Sequence, residues 1–454
     1  MSARIVPFLL VPLLTFHLTA GEYGVTDMAT TVISLVTPLA TLSVADAVLR
    51  FVIEDRGGQR RYVAVGAAVT AASCVLVAAC TPLLDLPVFG GLGDYKVLFT
   101  AAYASGAFQL YYGNVARALD LIRLIPVASL LAACATGGGA YVFVAVFDWG
   151  VRGFLYATIA GNAIGALTYV LVGRLWRYHA PASALRGDGG RLFAAMMAYA
   201  LPMVPNALFW WVGTSINRFF ITGMIGIAAS GMFAAIGKVP NLITVVYQIF
   251  QQAWNLSAFQ EFRRDDSDRF FGTMFRIVSA GMTMAASALV LLVRPLSALM
   301  LQKGFYQGWP LVSVMVLAVY FNVLNSFYGT VFTASMRTRS LLTTTCAGSL
   351  ACVALTWLLI PPMGLLGACM AMVVSNALVL ALRMVRAESI VRMQVDRPAF
   401  AASLGLLTLQ VAVTAAGTAW SGVASAACVM ALAVVQFRTL RPMAAAMMRR
   451  RGRG

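Results

Sequence analysis

The stretch Gly364-Leu-Leu-Gly-Ala-Cys-Met-Ala-Met-Val-Val-Ser-Asn-Ala-Leu-Val-Leu-Ala-Leu-Arg-Met-Val-Arg386 decides the fold. It carries no charge from Gly364 to Leu382, and then Arg383 and Arg386 follow. An apolar run of this length crosses the roughly 30 Å hydrocarbon layer of a bilayer as an α-helix, at about 1.5 Å per residue. The arginines at its end mark the side that stays cytoplasmic.

Similar runs recur in both directions. They place spans at 4–19, 24–49, 62–84, 95–116, 121–146, 150–173, 192–215, 220–250, 270–294, 309–333, 339–360, 363–385, 398–416 and 419–438. None has the short alternating segments of a membrane β-barrel. The first run lacks a small-residue cleavage site, so a removed signal peptide is not expected. Composition agrees: of 454 residues, 61% are hydrophobic and 11% charged, with mean hydropathy +0.84. Soluble proteins carry roughly 25% charged residues. The fold class predicted is all-α integral membrane, with about fourteen spans.

The net charge of +17 is explained by topology, because the cations sit in short loops between apolar runs rather than on a soluble basic face. No nucleic-acid partner is expected. Connections after even-numbered spans hold Arg50, Arg56, Arg60 and Arg61; Arg117 and Arg123; Arg174, Arg177, Arg186 and Arg191; Arg263, Arg264 and Arg269; Arg337 and Arg339; Arg383, Arg386, Arg392 and Arg397. The tail adds Arg438, Arg441, Arg449, Arg450, Arg451 and Arg453, whereas the odd connections are nearly bare of cations, with Lys96, Arg152, Arg294 and Lys303 as exceptions beside Arg218 at the outer end of the seventh span. This asymmetry puts both termini and the even connections in the cytoplasm of a cytoplasmic-type (inner) membrane.

An internal repeat divides the chain. Tyr112-Gly113 with Arg123 echoes Tyr328-Gly329 with Arg339, and Gly150-Val-Arg-Gly153 with Asn162 echoes Gly364-Leu-Leu-Gly367 with Asn376. Two pseudo-symmetric six-helix lobes are predicted, 1–180 and 181–390, with two further helices and a basic tail in 391–454. The seven cysteines and two histidines, His17 and His179, have no metal-ligand or disulfide spacing, so neither metal nor cofactor is expected. No nucleophile elbow, zinc-protease motif or nucleotide-binding loop occurs, which argues against an enzyme.

Polar side chains inside a bilayer need a reason. The seventh span carries Asn206, Trp210, Thr214 and Asn217 at helical spacing, with Arg218 at its outer end. The eighth carries Lys238, Asn241, Gln248, Gln252 and Asn255, the fourth Ser105, Gln109 and Tyr112, and the tenth Asn322 and Asn325. The bland account of any one amide is an interhelical hydrogen bond, worth roughly 0.6 kcal/mol. A lysine halfway along a span costs more. The carboxylate placed nearest the membrane interior is Asp46, toward the cytoplasmic end, so Lys238 has no acid predicted at its depth. It therefore points to a hydrated cavity that accepts an anion. Pro38, Pro126, Pro202, Pro205 and Pro240 are candidate kinks.

Tyr199-Ala-Leu-Pro-Met-Val-Pro-Asn-Ala-Leu-Phe-Trp-Trp-Val-Gly-Thr-Ser-Ile-Asn-Arg218 resembles the Tyr-Ser-Leu-Pro-x-x-Pro-x-x-x-x-Trp signature of Wzx-type polysaccharide flippases. Lys238-Val-Pro-Asn-Leu-Ile and Gln251-Gln-Ala-Trp-Asn-Leu-Ser257 are similar to that family's next segment. Glu22-Tyr23-Gly24, Arg50-Phe51 and Ile360-Pro361 with Gly364 and Gly367 agree with it. The resemblance implies two six-helix lobes around a central cavity, within the multidrug/oligosaccharidyl-lipid/polysaccharide superfamily. It implies transport of an undecaprenyl-diphosphate-linked oligosaccharide from the inner to the outer leaflet. Its implied partners are that glycan, membrane lipids, a polysaccharide polymerase and other assembly proteins. In this reading Lys238 and Arg218 attract the diphosphate. Asn206, Asn217, Asn241, Gln248, Gln252, Gln109 and Asn325, with Trp210, Trp254 and Tyr112, bind or stack on sugars. Members of the family often carry an acid just before the position of Arg218, where this chain has Asn217. They also commonly have a longer cytoplasmic lead before the first span.

Three other functions fit parts of the pattern. A drug/cation antiporter of the same superfamily would want an intramembrane carboxylate. A lipid II flippase would share the architecture. A polysaccharide polymerase or ligase would want a sizeable outward loop with arginines, and the outward loops here are short.

Overall fold

The computed structural model describes residues 6–178, 189–262, 267–393, 396–418 and 420–451. Arg186, His179, Arg263, Arg264 and Arg453 lie outside them. Among the described residues there are helices and no strands. Among the described residues ten helical segments are long and apolar enough to cross a membrane, and two more spans are bent pairs. With the short apolar helix α1 (Val6–His17) and α5 (Lys96–Ala118), these account for the fourteen predicted spans.

Packing groups the helices into two compact units, Met1–Ala234 and Ala235–Gly454. The first holds α1, the bent pair α2 (Ala20–Ala40) and α3 (Val44–Glu54), α4 (Gln59–Cys80), α5, α6 (Leu124–Ala140) and α7 (Gly150–Leu171). It also holds α8 (Gly189–Ala200), α9 (Met203–Ser215), α10 (Asn217–Met224) and most of α11 (Ile227–Ile236). The repeat places its boundary near residue 180, but α8 packs on α3 and α4, and α9 on α2. Packing and sequence repetition thus divide the chain at different points.

The second unit holds α12 (Asn241–Glu261), α13 (Ser267–Leu291), α14 (Val293–Met300), α15 (Trp309–Ala334), α16 (Thr338–Met363), α17 (Leu365–Glu388), α18 (Arg397–Ala415) and α19 (Ser421–Arg451). The span containing α15 is 78% buried and that of α19 only 17%, so α15 is central and α19 peripheral. The last two helices are tied in by buried amides. Gln410 of α18 accepts from Ser287 Oγ at 2.7 Å and donates to Ser425 Oγ at 2.9 Å, and Gln436 donates to Ser403 Oγ at 2.8 Å. Far from water, each such group needs a partner, and these pairs supply it.

The repeat has a structural counterpart. In the first unit α7 packs against α5 and α6; in the second α17 packs against α15 and α16. Gly153 and Gly367 open the second helix of each hairpin. A Cβ on Gly153 would stand 2.7 Å from Phe143 O, and one on Gly367 would collide with Leu359 O. The backbones approach too closely there for any side chain.

Three of the spans that hold candidate proline kinks are interrupted. The second bends by 50° at residues 41–43, where Leu42 and Ser43 both take φ of +52°. The seventh breaks at Leu201 and Pro202. The eighth bends by 48° between α11 and α12. Pro240 has no N–H to give and disfavours the helical conformation of the residue before it, so α12 starts only at Asn241. Pro126 lies in the first turn of α6, where its missing N–H costs nothing, and begins that helix rather than kinking it.

Candidate functional site

In the first unit, α2 buries a continuous run from Tyr23 to Ala29, with Asp27 inside it. A buried carboxylate needs a cation. Arg218, at the start of α10, donates from Nε to Asp27 Oδ2 at 2.5 Å. The side chain of Asp27 is 8% exposed and that of Arg218 23%. Arg218 thus finds its acid on α2 rather than next to it in the chain. Arg218, expected to lend a free positive charge to a cavity, is matched by this carboxylate. Asn217 beside it is buried.

The neighbouring tryptophans of α9 divide their roles. Trp211 is buried and its Nε1 donates to Ser34 Oγ at 3.0 Å and to Thr31 O at 3.2 Å, fixing α9 to α2. Trp210 is 65% exposed. The side chain of Asn206 lies outside the described residues. On α5, Gln109 and Tyr112 are half-buried. Gln109 lies against Gly165 of α7, and Tyr112 stacks on Phe108 with ring centroids 6.0 Å apart.

In the second unit, Lys238 does not share a helical stripe with Asn241, Gln248 and Gln252, because the helix is interrupted beside it. It sits half-buried in the turn before α12, with its backbone N–H bonded to Ala235 O at 3.1 Å. Irregular backbone at membrane depth is tolerated where protein or cavity water satisfies it. Asn241 and Gln252 are exposed and Gln248 is half-buried. Trp254 is 2% exposed and stacks on Phe327 at 4.6 Å and on Phe250 and Phe270, so it is packed in an aromatic core rather than presented to a ligand. Asn255 accepts from Thr330 Oγ1 at 2.9 Å.

Asn325 belongs to a buried network. Its Nδ2 donates to Asn376 O at 3.0 Å, and its backbone carbonyl accepts from Arg383 Nη1 at 2.6 Å. Arg383 also donates to Thr344 Oγ1 at 3.2 Å and Thr345 Oγ1 at 3.0 Å. Read from the sequence as a loop cation, Arg383 is instead 7% exposed inside α17, and among the described residues no carboxylate pairs with it. Asp27, Trp211 and Arg383 are the residues the sequence reading missed. The usable signal for Arg383 was the repeat: it falls sixteen residues after Gly367, as Tyr169 does after Gly153. Tyr169 lies over Gly113 and Arg383 over Gly329 in the corresponding places.

Broken spans, buried charges and two repeated helix hairpins define a polytopic α-helical membrane protein. Several solved structures share its fold. The lipid II flippase MurJ, in an inward closed conformation, is 11% identical, with 97% of each chain aligned and a TM-score of 0.72. An inward-facing multidrug resistance MATE family transporter of the MOP superfamily is 13% identical over 84% of this chain and 95% of its own, with a TM-score of 0.62. The Vibrio cholerae MATE transporter VcmN is 14% identical over 86% and 93%, with a TM-score of 0.58. At such identities the likeness is one of fold. A comparison with the curated proteins gives no match. The sequence model of the family described as "Polysaccharide biosynthesis protein" matches residues 1–254, more than half of the chain. The chain belongs to that family, the family of the Wzx-type flippases.

Proposed function

We propose that the protein moves an undecaprenyl-diphosphate-linked oligosaccharide across the inner membrane for exopolysaccharide, capsule or O-antigen synthesis, with both termini cytoplasmic. The family match over residues 1–254 carries this reading. The whole-chain likeness to a flippase of another lipid-linked glycan supports it. Lys238, half-buried at a helix break, is the cation that would meet the diphosphate. The exposed Trp210, Gln252 and Asn241, with the half-buried Gln109, Tyr112 and Gln248, are the side chains that would contact sugars. Arg218 would act through its pair with Asp27 rather than as a free charge.

The antiporter alternative called for an intramembrane carboxylate. Asp27 is one, but it is paired with Arg218, so its charge is already matched. The experiment that decides is glycan export in cells lacking the protein, with lipid-linked oligosaccharide assayed in the membrane. Loss of surface polysaccharide with undecaprenyl-diphosphate-linked units accumulating toward the cytoplasm is the expected result. Normal export with raised drug sensitivity would hand the function to the antiporter reading.

A further inference from the structure

We propose a second binding site, for a neutral, hydroxyl-rich sugar, on the first unit, where Glu22, Tyr95, Asp148, Trp149, Arg152 and Tyr156 line one cavity. The site rests on the glycan-flippase reading. Its residues lie in or beside the connections after spans 1, 3 and 5, at the ends that the arginine asymmetry assigns to the exterior. A translocated glycan would emerge on that side.

The cavity measures about 740 Å³. That lies within the roughly 300–1,000 Å³ of small-ligand clefts. Its wall is built by an irregular helix end. After α6 the chain makes a π-helical turn, Tyr141–Val146, then closes with a bond from Trp149 N–H to Phe143 O at 3.0 Å. Such π turns occur frequently at functional sites. Asp148 takes φ of +53° in this turn, which projects it beside Trp149 at the head of α7.

The indole of Trp149 stacks on Phe143 with centroids 5.4 Å apart and planes 6° apart, which covers one face. Phe147 also packs on the indole, at 5.4 Å and 33°, and the residue remains 49% exposed, so part of the ring is open. Tyr156 meets Trp149 edge-on at 5.8 Å and is 43% exposed. Apolar ring faces of this kind pack against the C–H face of a sugar ring, while their polar edges stay wet. Glu22 uses one carboxylate oxygen, Oε2, to cap α2 through Thr19 N–H at 2.9 Å and Thr19 Oγ1 at 2.8 Å. Among the described residues its Oε1 has no such bond, and the side chains of Asp148 and Arg152 form no hydrogen bond or ion pair.

An interfacial aromatic belt would account for Trp149 and Tyr156. It does not account for two carboxylates and a guanidinium lining the same cavity without pairing to one another. Ionised carboxylates accept hydroxyl protons, and a guanidinium donates to hydroxyl oxygens. Two carboxylates against one guanidinium leave the cavity negative. That disfavours a diphosphate or a uronic acid and selects a neutral sugar. The site is thus opposite in charge preference to the one proposed around Lys238.

The test uses the full chain in nanodiscs, with saturation-transfer NMR to neutral gluco- and galacto-oligosaccharides and to glucuronate-containing ones. Asp148→Asn keeps the backbone conformation, which Asn tolerates as Asp does. Trp149→Ala removes the stacking face and Trp149→Phe retains part of it. Transfer to neutral sugars, weakened about tenfold or more by Asp148→Asn and by Trp149→Ala but less by Trp149→Phe, is the expected result. No transfer to the wild type, equal transfer to the variants, or equal binding of glucuronates overturns the site. Glycan export is measured in parallel. Export that needs the protein, together with sugar binding unchanged in the variants, removes this site alone. Export that is unaffected by loss of the protein, together with binding that depends on Trp149, removes the flippase reading and leaves the site standing.

Discussion

Gly24 and Gly231 press their backbones together where α2 crosses α11: a methyl group on Gly231 would stand 2.6 Å from Gly24 N and 3.0 Å from Gly24 Cα. A methyl on Gly24 would in turn stand 3.1 Å from Gly231 N. Both residues are buried within the first unit. In lipid there is little hydrophobic drive between helices, so close van der Waals approach is what holds such a crossing. Gly231→Ala and Gly24→Ala should each force the helices apart, at a cost of about 1–3 kcal/mol. The check is the thermal midpoint of the purified protein in detergent. Gly281, which has no atom within reach of an added Cβ, is the control position. If Gly231→Ala melts with Gly281→Ala and the wild type, the crossing is looser than described.

The Asp27–Arg218 pair makes a prediction of non-additivity. Removing one member leaves the other charge buried alone, which costs about 3–5 kcal/mol, whereas replacing both with neutral polar groups removes the penalty. Arg218→Gln should therefore destabilise strongly, and Arg218→Gln with Asp27→Asn should recover most of the loss. Thermal midpoints of the two single variants and the double variant form the cycle. Additive losses would mean that the two charges do not depend on each other.

Arg383 offers a contrast between charge and shape. Its planar fork reaches three acceptors on α15 and α16 at once. A lysine keeps the charge but presents a single ammonium on a flexible stem. Arg383→Lys should lose about 1.5–3 kcal/mol, the worth of a hydrogen bond to a charged group. Glycan export would fall only as far as the amount of folded protein does. A lysine variant with the wild-type melting point would show that charge alone is enough at this position.

What the sequence made legible follows from where the physics is local. The spans were readable because lipid demands long apolar runs. The two hairpins α6–α7 and α16–α17 were readable because close helix crossings demand glycine at Gly153 and Gly367. The bend at Leu42 and Ser43 was not, since neither residue favours the left-handed backbone it adopts. Asp27 was passed over because its partner lies 191 residues away in the chain. Without that pairing, a carboxylate near the start of a span looks interfacial. Trp254 was misread in the other direction. Its position among amides at helical spacing pointed to a ligand, but three stacked rings and the edge-on ring of Phe271 enclose it.

Lys238 carries the functional prediction. The break before α12 leaves its backbone outside any helix, so its side chain is not held in a helical stripe. Removing the ammonium should then weaken transport without harming insertion. Lys238→Ala should lower glycan export and raise undecaprenyl-diphosphate-linked intermediates while the protein level stays at the wild-type value. Lys238→Arg preserves the charge and should be milder, since a guanidinium also binds a diphosphate, though with a fixed geometry in place of a compact point charge. Lys238→Gln, similar in length but neutral, separates charge from side-chain packing and should behave like Lys238→Ala. The comparison requires membrane fractions from each strain, with export normalised to protein present. Export unchanged in Lys238→Ala at normal protein level would remove the lysine from the transport path. Equal loss in Lys238→Arg and Lys238→Ala would instead tie its role to the shape of the helix break.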